Sequence, residues 1–388
     1  MDYPQQMNVP ATLMRGGTSK GVFFLLQDLP VPAQVPGEYR DRMLLRVLGS
    51  PDPYGQQIDG MGGGSSSTSK AVIISKSEQP DHDVDYEFGQ VAIDKPMVDW
   101  SGNCGNLTAA VGPFAISNGL MKSDRVPQDG VATVRIWQKN IRKTIVARVP
   151  VSGGVVQENG TFELDGVTFP SAPIQIEFLN PVDSSDRLLP TGNLMDDLEV
   201  PGVGQIKSTL INAGIPMVFV AAAALGLTGT ESQSDINGDS RTLALLETLR
   251  RVAALKMGLI ETLDQASLRQ HTPKIGFIAP PQSYRAAGGK EVNKDSIDLL
   301  LRAVSMGKLH HAMMGTAAVA AASAAVIPGT LVNQAAGGNV GDSITIGHPS
   351  GTLRVGAEAS NIGGQWCISR VLMIRSARVL MEGWVRLS

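Results

Sequence analysis

Three short stretches each combine small residues, hydrogen-bond donors and an ionisable side chain. Residues 101–111, Ser-Gly-Asn-Cys-Gly-Asn-Leu-Thr-Ala-Ala-Val, pass from small and polar positions into an apolar segment. That order predicts a turn feeding a helix, with Asn103, Cys104, Gly105 and Asn106 at its N-terminal end. Unpaired backbone N–H groups at such an end bind carboxylates, and the same position activates a thiol. A buried cysteine in a capped helix is the plain alternative. Residues 59–70, Asp-Gly-Met-Gly-Gly-Gly-Ser-Ser-Ser-Thr-Ser-Lys, read as a flexible loop ending in Lys70 at the mouth of an apolar strand. A lysine there is ordinarily solvated, but the absence of bulky side chains leaves room for a ligand beside Ser66, Ser67 and Lys70. Residues 14–21, Met-Arg-Gly-Gly-Thr-Ser-Lys-Gly, form a glycine-rich turn before a strand. Its glycines, Gly17 among them, let backbone approach a ligand, and Arg15, Thr18, Ser19 and Lys20 supply donors suited to carboxylates. A tight turn with solvated charges accounts for the same residues equally well.

Other chemistries fit less well. Ser67-Thr68-Ser69-Lys70 has Ser-x-x-Lys spacing and Ser101-Gly102-Asn103 has the Ser-x-Asn form of penicillin-recognising enzymes. Acyl hydrolysis is disfavoured because Lys70 runs into a strand and no Lys-Thr-Gly strand follows. The glycine loop is no Walker A motif, since no Gly-Lys-Ser/Thr closes it. Asp81-His82-Asp83-Val84-Asp85 lacks the glycine turn of a calcium loop and reads as a solvated surface turn. His310 and His311 precede a helix, where ligand contact and packing are equally open. Ser350, in the turn Gly-His-Pro-Ser-Gly around His348, offers a further donor. His82 and His271 are read as structural.

These residues must be carried by regular elements. Apolar spacing predicts a helix over residues 39–48 with Arg40, Arg42 and Arg46 solvated, and a strand over 86–93. Residues 132–149 alternate as a hairpin, the segments 153–169 and 174–178 stay strand-like, and 188–192 looks like a domain junction. The second half then repeats the first. Residues 211–220 match 15–25 as a glycine turn into a strand, and Thr272-Pro273-Lys274 repeats Thr68-Ser69-Lys70. Residues 311–319, with His311, Met314, Gly315 and Thr316, repeat 102–109. Three matches in one order predict two related halves across a cleft, each contributing a helix N-terminus. Two such termini can hold a di- or tricarboxylate without a metal.

Composition sets the outer bounds. A chain of 388 residues with 43% hydrophobic content predicts two domains. A net charge of -3 gives no reason to expect nucleic acid or an anionic membrane as partner. Two cysteines, Cys104 and Cys367, are too few for a disulfide framework. The start, Met1-Asp2-Tyr3-Pro4-Gln5-Gln6, lacks signal-peptide character, so a cytoplasmic location is expected. The small and apolar runs 214–227 and 317–327 are shorter than the roughly 20 residues that span a bilayer.

The chain resembles the PrpF family, the 2-methylaconitate cis-trans isomerases of the methylcitrate cycle, within the diaminopimelate-epimerase-like fold. The resemblance is carried by residues 14–24, Ser-Pro-Asp-Pro-Tyr-Gly at 50–55, and residues 58–70 and 99–106. It continues in Gly-Lys-Leu-His-His-Ala-Met-Met-Gly-Thr at 307–316, residues 347–351, and Arg-Ser-Ala-Arg-Val-Leu-Met-Glu-Gly at 375–383. It implies an α+β protein of two similar domains, each a β-barrel-like sheet around a central helix, with the active site in the cleft between them. The implied domains are residues 1–187 with 372–388, and residues 188–371, the last strand returning to the first domain. Arg375 and Arg378 in that strand are read as structural ion-pair partners.

Epimerases of this fold use two opposed cysteines. Here Cys104 matches the first, while Met314 stands at the second and cannot carry a proton. The resemblance therefore implies Lys70 as base. Removal of an allylic proton gives a carboxylate-stabilised dienolate in which the former double bond can rotate, and reprotonation fixes the other isomer. This step requires no redox cofactor, nucleotide or metal, and none is expected. An ordinary lysine pKa of about 10.4 must be lowered, by burial or by a cation such as Lys20, Arg15 or Lys274. N–H groups at Cys104–Asn106 and Gly315–Thr316 would meet the developing charge, with Cys104 as partner acid or pocket lining. Tautomerisation of a related polycarboxylate such as 4-oxalomesaconate is the alternative reaction, and a non-catalytic carboxylate-binding protein is the alternative class. Whether the chain forms a homo-oligomer is left open.

Overall fold

The first glycine-rich turn closes a β-hairpin. Strand Met7–Gly16 pairs antiparallel with Ser19–Leu25, and Gly17 between them has a φ of 52°, in the left-handed region that glycine adopts without strain. A side chain at Gly17 would also meet Asn106 Oδ1 at 2.5 Å, so the turn lies directly on the start of the following helix. The other edge of Met7–Gly16 is covered by the C-terminal strand Ala377–Leu387, Gly16 facing Ala377 and Met7 facing Leu387. Strand Ser19–Leu25 runs parallel to Lys70–Lys76, which pairs antiparallel with Val84–Val91 so that Lys70 faces Gln90. The hairpin Gly130–Gln138 and Lys143–Ser152 extends the sheet, Val84 facing Ile136.

The strands enclose the helix Thr108–Ser117, whose residues 108–115 are all buried. Phe114 meets Phe23 with ring centroids 5.5 Å apart. Gly112 is required by packing, since a Cβ there would lie 2.8 Å from Val149 Cγ2. The helix Glu38–Leu48 packs its apolar face, Met43, Leu44 and Val47, with Phe24 and Ile73 of the sheet.

This computed structural model describes residues 6–182 and 187–387. They fall into two compact units. The first comprises residues up to Glu163, Phe169–Ile176 and the chain from Arg375 onward; the second comprises Leu164–Thr168 and Glu177–Ile374. Division at 187/188 and 371/372 was expected from the sequence.

Taken by itself, the second unit repeats the order of the first. Gly204–Ala213 and Ile215–Ala221 form a hairpin around Gly214. Its second strand runs parallel to Lys274–Ala279, which pairs antiparallel with Leu299–Ser305. Ser343–His348 and Gly351–Ile362 complete the corresponding hairpin. Helix Ser240–Lys256 follows the first hairpin, as Glu38–Leu48 does in the first unit, and its N-cap Asp239 accepts the N–H groups of Arg241 and Thr242. The central helix, Gly315–Ala325, is buried along its whole length and rich in alanine, a composition that lets strands approach closely from every side. The expected fold, α+β with a barrel-like sheet around one helix in each unit, is present.

Several local expectations are corrected. Arg40 is buried rather than solvated: its guanidinium donates to the carbonyls of Ala33 and Gln34 and pairs with Glu87. Only the start of 81–85 is a solvated turn: Asp81 is exposed, whereas Asp85 and the Asp83 side chain are buried, Asp83 pairing with Arg125 and accepting the Arg135 N–H. Residues 153–169 are irregular apart from Val155–Val156 and a single bridge from Phe162 to Ser171. The glycine loop before Lys70 is pinned rather than loose. Buried Gln57 donates to Ser50 Oγ at 2.8 Å and Ser69 Oγ at 2.7 Å and accepts the Gly64 N–H at 3.0 Å. Among the described residues no helix is long and apolar enough to cross a membrane.

Candidate active site

Lys70 begins its strand and points inward, 5% exposed. The strand register places Gln90 opposite it, and Lys70 Nζ donates to Gln90 Oε1 at 2.6 Å. Gln90 is oriented by its own amide, which donates to the carbonyls of Ser69 at 2.9 Å and Ser66 at 3.2 Å. The ammonium position lies 5.0 Å from the centroid of the Phe88 ring, and the Lys70 side chain also hydrogen-bonds that of Cys104. Burial lowers the Lys70 pKa, and Cys104 partly offsets that by favouring the charged amine. Of the two expected causes, desolvation is the one at work.

Cys104 sits where the helix starts. Its carbonyl accepts the Thr108 N–H at 3.0 Å and the Thr108 hydroxyl at 2.9 Å, and its Sγ accepts the Leu107 N–H at 3.4 Å. The thiol is thus held by the helix N-terminus on one side and Lys70 on the other. Tyr86 reaches the same carbonyl with a longer contact of 3.5 Å, and burial raises its pKa well above the ordinary phenol value. Asn103 is 1% exposed, and neither its amide oxygen nor its amide nitrogen has a hydrogen-bond partner.

The first turn assembles against this helix start. Asn106 Nδ2 donates to Thr18 Oγ1 at 2.9 Å, and the Lys20 N–H donates to the Ser67 carbonyl at 3.0 Å. Ser19 and Ser67 are buried, Ser67 Oγ lying 3.0 Å from Ser65 Oγ. Arg15 directs its guanidinium to protein acceptors: the carbonyl of Gly17 at 3.1 Å, the carbonyl and hydroxyl of Ser376 at 3.0 and 3.1 Å, and Ser171 Oγ at 3.1 Å. The structure therefore brings together Arg15, Gly17, Thr18, Ser19, Ser66, Ser67, Lys70, Asn103, Cys104, Gly105 and Asn106 within the first unit.

Sequence reasoning missed Arg375, which was expected to be a structural ion-pair partner. It is 1% exposed, and its Nε and Nη2 atoms have no hydrogen-bond partner. Cys104 is the group that acts on it electrostatically. Burial lowers its pKa to about 10, which still leaves a cation at neutral pH. The signal in the sequence was faint: an arginine ending an apolar strand, Val-Leu-Met-Ile-Arg. Arg378, by contrast, is exposed.

In the second unit, Lys274 takes the position that Lys70 has in the first. Its Nζ donates to Ser305 Oγ at 2.9 Å and lies 3.3 Å from His271 Nδ1, so His271, read as merely structural, adjoins a candidate residue. His311 stacks on His310 with ring centroids 4.7 Å apart, and burial lowers its pKa. Ser350 Oγ donates to the His311 carbonyl at 2.5 Å. Met314 is the N-cap of the central helix, and its carbonyl accepts the Ala318 N–H, as that of Cys104 accepts the Thr108 N–H. Gly315 and Thr316 form the first, buried turn.

Chemically, the first unit presents a lowered-pKa amine next to a thiol, with the unpartnered Asn103 amide and the Arg375 cation in the same unit. That set can move a proton on a substrate bearing carboxylates.

Comparison with known proteins points the same way. The sequence profile of the family described as "PrpF protein" matches residues 6–388. The chain is 64% identical to the 2-methyl-aconitate isomerase of Shewanella oneidensis, over 99% of this chain and 98% of that protein. It is 62% identical to the 2-methyl-aconitate isomerase of Cupriavidus necator, over 100% of this chain and 98% of that one. The crystal structure of a methylitaconate-delta-isomerase superposes with a TM-score of 0.76 at 38% identity, covering 98% of this chain and 96% of that chain.

Proposed function

The chain belongs to the PrpF protein family, and from that premise we propose that it interconverts the cis and trans isomers of 2-methylaconitate by removing and returning an allylic proton. The observation that carries this reading is Lys70, a buried amine bonded to Gln90 and to Cys104 at a helix start. Neutral Lys70 takes the allylic proton. The electron pair delocalises toward a substrate carboxylate, and the former double bond becomes free to turn. A proton then returns to carbon to give either isomer, from the Lys70 ammonium directly or from the Cys104 thiol, whose thiolate takes up the proton held by Lys70.

Charge developing on the enolised carboxylate is met by N–H donors at Asn103, Gly105 and Asn106, with Gly17, Thr18, Ser19, Ser66 and Ser67 lining the same region. Arg15 contributes by fixing the first turn. Lys274, His311, Met314, Gly315, Thr316 and Ser350 are proposed as further contacts to a di- or tricarboxylate substrate.

The test follows isomerisation of 2-methylaconitate by ultraviolet absorbance, with deuterium incorporation from heavy water, for wild type and Lys70→Ala. The variant is expected to lose about 10²–10⁴-fold in kcat, and exchange with it. Exchange and isomerisation at wild-type rates in Lys70→Ala remove Lys70 as base. Turnover of 4-oxalomesaconate in preference to 2-methylaconitate assigns the protein to tautomerisation instead.

A further inference from the structure

Arg375 is absent from the assignments above, and the fold keeps it in an unusual state. It ends the strand Gln365–Arg375 and lies in the first unit, where Cys104 acts on it electrostatically. Its neighbour Ser376 is fixed at the first turn, the Ser376 carbonyl accepting the Gly17 N–H at 2.8 Å and Arg15 Nη1 at 3.0 Å. The strand end is therefore fixed at the turn, and the guanidinium is buried there. Two of its three nitrogens lack any acceptor, and Asn103, next to Cys104, has an amide with no partner on either atom.

Buried charged and amide groups are ordinarily satisfied, because removing them from water without a partner is costly. Buried guanidinium ions are ordinarily paired with carboxylates or phosphates in bidentate fashion. Here the missing acceptors belong to something outside the chain. A planar anion accepting two N–H bonds from Arg375 and one from the Asn103 amide N–H supplies the acceptor these donors lack. Arg15 is not equivalent, since its donors already meet protein acceptors.

We propose that Arg375 and Asn103 form a subsite for one carboxylate of the substrate, seated against Cys104. This deepens the proposed isomerase function and rests on it. Phosphate is the competing occupant, since a guanidinium fork pairs with either anion, and the test below separates the two. Arg375 would orient the carboxylate so that the carbon next to it faces Lys70, a binding and orienting task that leaves the proton to the lysine.

The probe is tricarballylate, a saturated tricarboxylate with no double bond to isomerise. Its affinity is measured by titration calorimetry for the full chain, together with the melting temperature of each unliganded protein. Arg375→Met is expected to bind about 10²-fold more weakly, as loss of charged hydrogen bonds implies, and to raise KM more than it lowers kcat. Arg375→Lys recovers part of the affinity. Unliganded Arg375→Met melts no lower than wild type, since it removes an unpaired buried charge. Arg375→Gln replaces it if the methionine variant does not fold. Wild-type affinity in the charge-removing variant that folds overturns the proposal. So does equal weakening of inorganic phosphate and tricarballylate binding, or a lower melting temperature with unchanged KM. The two readings fail separately: Arg375-dependent tricarballylate binding without turnover of 2-methylaconitate retains the subsite and discards the isomerase. Turnover with Arg375-independent binding does the reverse.

Discussion

Lys70 is held between two demands, burial that favours the neutral amine and acceptors that favour the ammonium. Burial has the larger effect, so the folded-state pKa lies below the unfolded value. Two pH dependences follow, with definite signs. With the neutral amine as the proposed base, kcat/KM should rise with pH through the lowered pKa of Lys70. Gln90 Oε1 accepts from the charged form, so Gln90→Leu should move that limb to lower pH, as a pH–rate profile will register. For stability, the unfolded chain binds more protons than the folded one between the two pKa values. Stability contributed at this residue therefore increases with rising pH across that window, and the cost of burying the lysine is fully present below the folded pKa. Lys70→Met should melt higher than wild type at neutral pH and lose that part of the pH slope, which calorimetric scans at several pH values will check. A protein more stable without its base would show that the site is maintained for function rather than for folding.

At the scale of elements, the helix start is located by a turn rather than by a capping side chain. Gly17 touches Asn106 at a distance that leaves no space for a methyl group, and its backbone is left-handed. Gly17→Ala should cost about 1–3 kcal/mol and lower kcat/KM, measured by denaturant unfolding and steady-state kinetics. Much of this was legible beforehand. The glycine turn, the lysine opening a strand and the small-residue helix were each marked by local composition, and their recurrence marked the two halves. What escaped was long-range. Arg40 lies at helical spacing among charged residues, and only the partner Glu87 and the carbonyls of Ala33 and Gln34 explain its burial. Arg375 escaped for the opposite reason, since nothing in its neighbourhood along the chain distinguishes an unpartnered arginine from a paired one. The loop before Lys70 read as loose because glycine permits many conformations. Its order comes from Gln57, which the composition of the loop does not contain.

At the scale of the molecule, two units share an order of elements yet differ at the positions that matter. Lys70 faces Gln90 and bonds Cys104, whereas Lys274 adjoins Ser305 and His271, and Met314 stands where the thiol would be. The amine–thiol pair proposed for proton transfer is thus found in one unit and not at the matching positions of its repeat. The first and last strands are neighbours, Met7 opposite Leu387. A circular permutant joined across them and opened between Gly363 and Gly364, an exposed hairpin tip, should melt cooperatively within a few degrees of wild type and keep its kinetics. The same adjacency sets a schedule for the ribosome. The first unit lacks an edge strand until residues 377–387 emerge, after the second unit has received its last strand, Gln365–Arg375. The half that begins synthesis is the half that finishes folding last. Throughout that interval the strand Met7–Gly16 is an open template, which makes a nascent chain stalled before residue 377 the form most in need of a chaperone.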